Sequence, residues 1–100
     1  SVPDAAQALT GRYAGTSKGE PIVLDLEFLA DSRLRATIRR GTADAMKVTA
    51  RYSLSGDRAT FALVEPVDGG ASYSASVSAK GVSGRISHAN GKNNRFSLSP

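Results

Sequence analysis

Ser55-Gly56-Asp57-Arg58 and Ala79-Lys80-Gly81-Val82 decide the fold of this chain. Each stretch is a tight-hairpin signal, and the residues on both sides of it alternate between apolar and polar. A glycine in the first central position suits a type II′ turn, and one in the second suits a type I′ turn. Because a period of two is typical of a half-buried strand, these turns predict antiparallel strands with one apolar face.

The alternation extends over most of the chain and predicts eight strands. They are expected at about 11–16, 21–29, 33–39, 47–55, 58–64, 72–79, 82–89 and 95–99. Ahead of them, Asp4 with Gln7 three residues later forms a capping-box pattern, and Gly11 is a stop signal. Residues 1–10 are therefore predicted to hold one or two helical turns. A chain of 100 residues makes one domain, 1–100.

Hairpin registers can be tested, because directly opposed residues must lie on the same face of the sheet. A three-residue loop at 30–32 sets Phe28 opposite Leu34 on one face and Glu27 opposite Arg35 on the other. The other predicted pairs are Leu26–Ala36, Leu24–Ile38, Asp25–Thr37, Leu54–Ala59, Tyr52–Phe61, Ala50–Leu63, Val77–Gly84, Ala75–Ile86, Tyr73–His88, Ile86–Leu98 and His88–Phe96. These registers place apolar residues against apolar residues.

A meander of eight strands has two unpaired edges, and closing the sheet removes both. We therefore predict an all-β fold, a single antiparallel eight-stranded meander closed into a small β-barrel, with a short N-terminal helical segment that can plug one end. The bulky inward positions are Tyr13, Leu24, Leu26, Phe28, Leu34, Ile38, Val48, Tyr52, Leu54, Phe61, Leu63, Val77, Val82, Ile86, Phe96 and Leu98. They leave little room for the ~300 Å³ of a typical ligand pocket.

The composition limits the classes of function and location that are expected for this chain. No apolar run approaches the roughly 20 residues that span a bilayer, so no membrane span is expected. The net charge of +4 comes from basic residues spread along the chain, without the exposed aromatics of a nucleic-acid site, so no nucleic acid is expected. Cysteine is absent. The start at Ser1 rather than Met favours a mature exported protein, secreted or periplasmic.

No residue pattern indicates catalysis, a cofactor or a metal. His88 is the single histidine, and it has neither a triad partner nor a second imidazole for a metal. Asp25 and Glu27 lie about 7 Å apart on one strand face, a spacing found in glycosidases. Their position opposite Arg35 favours cross-strand ion pairs instead. We expect a protein that is not an enzyme.

A helical segment, then Gly11-Arg12-Tyr13, then an eight-stranded meander resembles the calycin architecture of lipocalins and avidins. The segment from Pro3 to Tyr13 is similar to the N-terminal segment of bacterial metalloprotease inhibitors. Gly70-Ala71-Ser72-Tyr73, followed by Lys80-Gly81, is similar to part of the loop motif of bacterial lysozyme inhibitors. The resemblance implies a barrel that binds a ligand or another protein and has no catalytic role.

Hairpin connections alternate between the two ends of a barrel, and the longer ones, about 16–20, 40–46, 65–71 and 90–94, share one end. Binding groups usually lie on such loops. The site residues predicted there are Tyr73, His88, Lys18, Arg40, Asp68 and Lys92.

The function expected is therefore binding by the long-loop rim of a filled barrel, with an inhibitor of a secreted protease or lysozyme as its concrete form. A carrier of a small hydrophobic ligand is the alternative. A third possibility is docking on an acidic polysaccharide through the arginine-rich face of Arg33, Arg35, Arg39, Arg40 and Arg51. The partner is thus a protein or a small apolar ligand.

Overall fold

The computed structural model describes all 100 residues and confirms the predicted all-β barrel. One helix precedes eight strands: α1 (Asp4–Gln7), β1 (Gly11–Ser17), β2 (Glu20–Leu29), β3 (Arg33–Arg40), β4 (Met46–Ser55), β5 (Arg58–Val64), β6 (Ser72–Ser78), β7 (Gly81–Ser87) and β8 (Asn93–Ser99). Each strand pairs antiparallel with the next, and β1 pairs with β8, so the barrel is closed. No helix in the chain is long and apolar enough to cross a bilayer.

The connections divide between two poles. The short-turn pole carries residues 30–32, 56–57 and 79–80, and the long-loop pole carries residues 18–19, 41–45, 65–71 and 88–92. The connection predicted at 16–20 is shorter than expected, because Lys18 and Gly19 alone join β1 to β2. Both have positive φ, +53° and +80°, which is the backbone of a type I′ turn.

The N-terminal segment is tied to the barrel by hydrogen bonds. The Tyr13 hydroxyl donates to the Leu9 carbonyl at 2.6 Å, and the Phe28 amide donates to Thr10 Oγ1 at 3.2 Å. Ala6 and Leu9 are buried in the apolar core. The predicted capping box is wrong: Pro3 occupies the N-cap position and makes no side-chain cap. Proline suits the start of a helix because it has no amide hydrogen to satisfy there.

The predicted register of the β2–β3 hairpin is confirmed, and so is that of the β4–β5 hairpin as far as its ladder extends, which excludes the predicted pair Ala50–Leu63. Phe28 faces Leu34, Glu27 faces Arg35 and Tyr52 faces Phe61. Glu27 forms the expected cross-strand ion pair with Arg35, at 2.9 Å. Asp25 does not join that pair.

Asp25 pairs instead with Arg12, which lies directly opposite it on β1, at 2.9 Å. Its other neighbour across the sheet is Thr37 of β3, as predicted.

The predicted registers of the β6–β7 and β7–β8 hairpins are wrong, by two residues in the first and by four in the second. Tyr73 faces Ile86 rather than His88, because Ala79 and Lys80 form the turn and Gly81 begins β7. The further corrected pairs are Ala75–Gly84, Val77–Val82, Gly84–Phe96, Val82–Leu98 and Ile86–Asn94. A side chain of any size at Gly81 would collide with the Leu98 carbonyl, which fixes the glycine inside the strand rather than in the turn.

The interior is packed with apolar side chains. Twenty-two buried residues form one cluster, against which Val2, Val48, Ala50 and Leu54 pack. Glycines let neighbouring strands approach closely: a Cβ at Gly84 would lie 2.7 Å from the Cα of Ala75 on β6. A Cβ at Gly15 would similarly lie 2.5 Å from the Ser97 carbonyl of β8. These contacts leave no side-chain space at either position.

Candidate functional site

A buried carboxylate organises the long-loop pole. Glu65 directly follows β5, and only 3% of its surface is exposed. Its Oε1 accepts hydrogen bonds from Arg40 Nη2 at 3.1 Å and from the Ala71 amide at 2.8 Å. Its Oε2 accepts from Arg40 Nε at 3.2 Å and from the Tyr73 hydroxyl at 2.7 Å. Four donors on two oxygens satisfy the carboxylate without water.

Strand periodicity explains why these side chains converge. Glu65 continues the inward positions of β5 occupied by Phe61 and Leu63, one step beyond the strand. Arg40 likewise continues the inward series of β3, so it does not belong to the exposed arginine-rich face predicted from the sequence. Tyr73 is opposite Leu63 in the sheet, which brings its hydroxyl to the carboxylate.

The electrostatics of the cluster hold each member in one protonation state. Burial alone raises the pKa of Glu65, but hydrogen bonds from the Ala71 amide, Tyr73 and Arg40 outweigh it, so the pKa lies below its ordinary value. Burial, and then the hydrogen bond to Glu65, raise the pKa of Tyr73, which stays a hydrogen-bond donor. Burial works against the charge of Arg40, but Glu65 keeps its pKa raised.

The cluster anchors the loop of residues 65–71, here called the anchored loop. Its ends are bridged twice: the Glu65 amide donates to the Ala71 carbonyl at 3.0 Å, and the Glu65 side chain accepts from the Ala71 amide. Gly70 closes a turn inside the loop by donating to the Val67 carbonyl at 3.0 Å. The backbone of the anchored loop is therefore held from below by buried groups.

Above this anchor, the loop exposes apolar side chains. Val67 is 54% exposed and Val64, at the end of β5, is 66% exposed, and no other large hydrophobic side chains are exposed in the protein. Pro66 lies between them and is also exposed. Large apolar side chains on a soluble protein surface commonly mark an interaction site when they cluster. Val64, Pro66 and Val67 are here called the apolar tip.

The other predicted site residues lie at the same pole but do not join the cluster. His88 is half-buried, and its Nε2 lies 3.2 Å from Asn94 Nδ2. Its amide donates to the Lys92 carbonyl at 2.8 Å, which closes the 88–92 loop. Asp68 and Lys92 are exposed on two different loops, and Lys18 is exposed in the β1–β2 turn.

Tyr73 and His88 thus share a pole, although they are not opposed in the sheet. The ring of Tyr73 packs edge-on against Phe96, with ring centroids 6.2 Å apart. Of the six predicted residues, the structure brings Tyr73 and Arg40 together through the side chain of Glu65, and it joins His88 to Lys92 through a backbone hydrogen bond.

Sequence reasoning missed Glu65 and Asn94. For Glu65 a signal was present, because the alternation of β5 continued by one step places residue 65 on the inward face. The contact of Asn94 with His88 depends on where β7 and β8 pair, and the alternation of apolar and polar residues does not predict that register.

In chemical terms the cluster is a structural anchor. Both oxygens of Glu65 are occupied by donors, so the carboxylate has no free position from which to take a proton from a substrate. No group of three or more His, Cys, Asp or Glu side chains is placed to hold a metal ion.

Comparison of the chain with protein-family models, with curated proteins and with solved structures gives no match.

Proposed function

We propose that this protein is an exported, non-catalytic binding module that engages a protein partner through its long-loop pole, with the apolar tip at the centre of the contact. The observation that carries the proposal is the combination of two exposed valines with a loop held by a buried carboxylate. The closed eight-stranded barrel resembles the calycin architecture. We include this resemblance in the proposal because it implies a binding role.

The anchored loop is preorganised for binding, because both of its ends are held by hydrogen bonds. A loop already held in its bound conformation loses less conformational entropy when a partner binds. Apolar side chains at the centre of an interface contribute most of the binding free energy, while a polar rim excludes water. The apolar tip has both properties, because it is exposed and the backbone beneath it is fixed at Glu65 and Ala71.

The packed interior supports a surface site over an interior one. The inward side chains form a single apolar cluster, and the three main depressions of the protein are open and lie on the outer wall of the barrel. A carrier of a small hydrophobic ligand would need an interior cavity of about 300 Å³ or more. We therefore propose a protein partner, and in its concrete form an inhibitor of a secreted hydrolase.

Inhibition assays test this form of the proposal. The purified protein is titrated against a zinc metalloprotease, thermolysin, and against lysozyme, and the hydrolysis rates are measured. We expect one of the two rates to fall with the wild-type protein, and the inhibition to weaken by roughly a hundredfold with Val67→Asp, because a charge at an interface centre is desolvated without a partner.

The matched control is Ala79→Asp, which adds the same charge in an exposed turn at the short-turn pole. It should inhibit as well as the wild type. Unchanged rates with both enzymes would refute the inhibitor form, and equal loss in the two variants would refute the role of the apolar tip. The exported location is tested separately, by fractionating source cells and detecting the protein with an antibody.

A further inference from the structure

Ten of the thirteen basic side chains form no ion pair with a carboxylate, and four of these ten line two depressions on the outer surface. The ion pairs of the protein involve Arg12, Arg35 and Arg40 as the cations. Outside these pairs, Lys18, Arg85 and Arg95 line one depression of about 680 Å³ on the outer surface, and Arg51 lines a second of about 570 Å³. No acidic residue lines either depression.

The two depressions are continuous, because Ser74, Ser83 and Gly84 line both of them. Together they form a groove across the outer wall from β4 to β8 and on to β1, which is here called the serine groove. It is separate from the apolar tip. Gly84 contributes no side chain to the groove, and the backbones of β6 and β7 approach closely there.

The charges in the serine groove are concentrated where β7 meets β8. Arg85 and Arg95 are directly opposed across these two strands, and both are exposed. Like charges on directly opposed residues destabilise a sheet. Here no acidic side chain offsets the repulsion, and Lys18 adds a third positive charge to the same depression. A bound anion would reduce the repulsion among all three.

The remaining lining is rich in hydroxyl groups. Those beside the three cations are Thr16, Ser74, Ser83 and Ser97, and those toward Arg51 are Ser53, Thr60 and Ser76. Hydroxyls donate to sulfate and carboxylate oxygens and exchange hydrogen bonds with sugar hydroxyls. The two aromatic residues that border the groove, Phe61 and Phe96, have their rings buried. Because stacking on nucleic-acid bases needs exposed rings, the lining of the groove does not favour a nucleic-acid ligand.

We propose that the serine groove binds a chain of an acidic polysaccharide, one that carries sulfate or carboxylate groups along a sugar backbone. The extended shape of the groove suits a chain rather than a single ion. The opposed pair Arg85 and Arg95, with Lys18, binds one cluster of negative groups, and Arg51 lies at the other end of the groove. This site is independent of the partner proposed for the apolar tip, and it shares only Arg51 with the arginine-rich face expected from the sequence.

Binding to defined polymers tests the inference. Affinities of the full chain are measured for heparin, which is sulfated, for polygalacturonate, which is carboxylated, for neutral dextran, and for oligothymidylate. We expect heparin or polygalacturonate to bind at low ionic strength and to be released by salt, and dextran not to bind. No binding of either acidic polymer at low ionic strength, or tighter binding of oligothymidylate than of both, would overturn the proposal.

Variants locate the site. The double substitution Arg85→Gln/Arg95→Gln should weaken binding roughly tenfold or more and reduce the dependence of log K on log salt by about two charges. The control Arg39→Gln/Arg58→Gln removes the same charge from exposed positions outside the groove and should stay within about twofold of the wild type. Equal weakening in both variants would overturn the groove as the site.

Stability provides an independent readout of the same contact. The groove variant should melt at the wild-type temperature or higher, because it relieves the repulsion between Arg85 and Arg95. Arg95→Gln alone relieves the same repulsion and should also weaken binding. A groove variant that melts lower than the control would contradict the assignment of these arginines to binding rather than to folding.

Discussion

Replacing Glu65 by glutamine keeps the shape of the side chain and removes its charge. The carboxylate accepts hydrogen bonds from four donors, whereas the amide has one acceptor oxygen and an NH₂ group that donates. Two of the four donors therefore lose their acceptor. Arg40, which is 23% exposed, loses its buried counter-charge.

The size of the effect follows from the burial of the pair. Removing one partner of a buried ion pair costs about 3–5 kcal/mol. Arg40 is partly solvated and keeps Glu20 within 3.6 Å, which places the cost near the low end of that range. We expect the free energy of unfolding to fall by about 3 kcal/mol, which in a domain of this size lowers Tm by about 12–24 °C.

The assay is urea unfolding with a matched control. Glu27→Gln makes the same chemical change in the ion pair with Arg35, where both side chains are more than half exposed. That pair should contribute less than about 1 kcal/mol. Hydrogen exchange adds a local readout in Glu65→Ala, where the Ala71 amide loses its side-chain acceptor and should exchange faster. Equal loss of stability in Glu65→Gln and Glu27→Gln, or an unchanged Ala71 amide in Glu65→Ala, would refute the anchor.

The Tyr52 hydroxyl is buried without a hydrogen-bond partner, so Tyr52→Phe should leave the free energy of unfolding unchanged or raise it by about 1 kcal/mol in a urea titration. In the same titration Tyr73→Phe should lower it by about 2 kcal/mol, because the Tyr73 hydroxyl donates to Glu65. The pKa of Glu65 is lowered in the folded state, so its stabilising contribution is complete above the unfolded pKa of about 4.3 and is lost as the pH falls through the folded value. The difference in Tm between wild type and Glu65→Gln should therefore be constant above about pH 5.5 and shrink in more acidic buffer; a constant difference down to the acid limit would contradict it. Gly84→Ala should cost about 1–3 kcal/mol by calorimetry, because its Cβ would meet the backbone of β6, while Ser83→Ala on the outer face should cost little.

The candidate site was only partly readable from the sequence. The long-loop pole follows from the order of the hairpins, and the sequence predicts Tyr73 and Arg40 as site residues there. It does not single out Glu65, although the phase of β5 places that residue inward, because an acidic residue in an inward position is stable only with partners. Those partners come from β3 and β6, and nothing local to residue 65 reveals them.

The sequence by itself determined the strands, their order and the face on which most side chains lie, with Arg40 as an exception. Alternation with a period of two carries that information locally, and the turn residues supply the hairpins. The tertiary structure decided the registers of the last two hairpins. A slip of two or four residues keeps every apolar side chain on the inward face, so alternation cannot detect it.

Closure of the barrel removes this ambiguity, because β8 must pair with β1 while β7 accommodates Gly81 beneath the Leu98 carbonyl. The same long-range constraint brings Arg85 opposite Arg95 and Glu65 onto Arg40. Both proposed binding surfaces depend on contacts between strands distant in sequence, and they exist only once the sheet has closed.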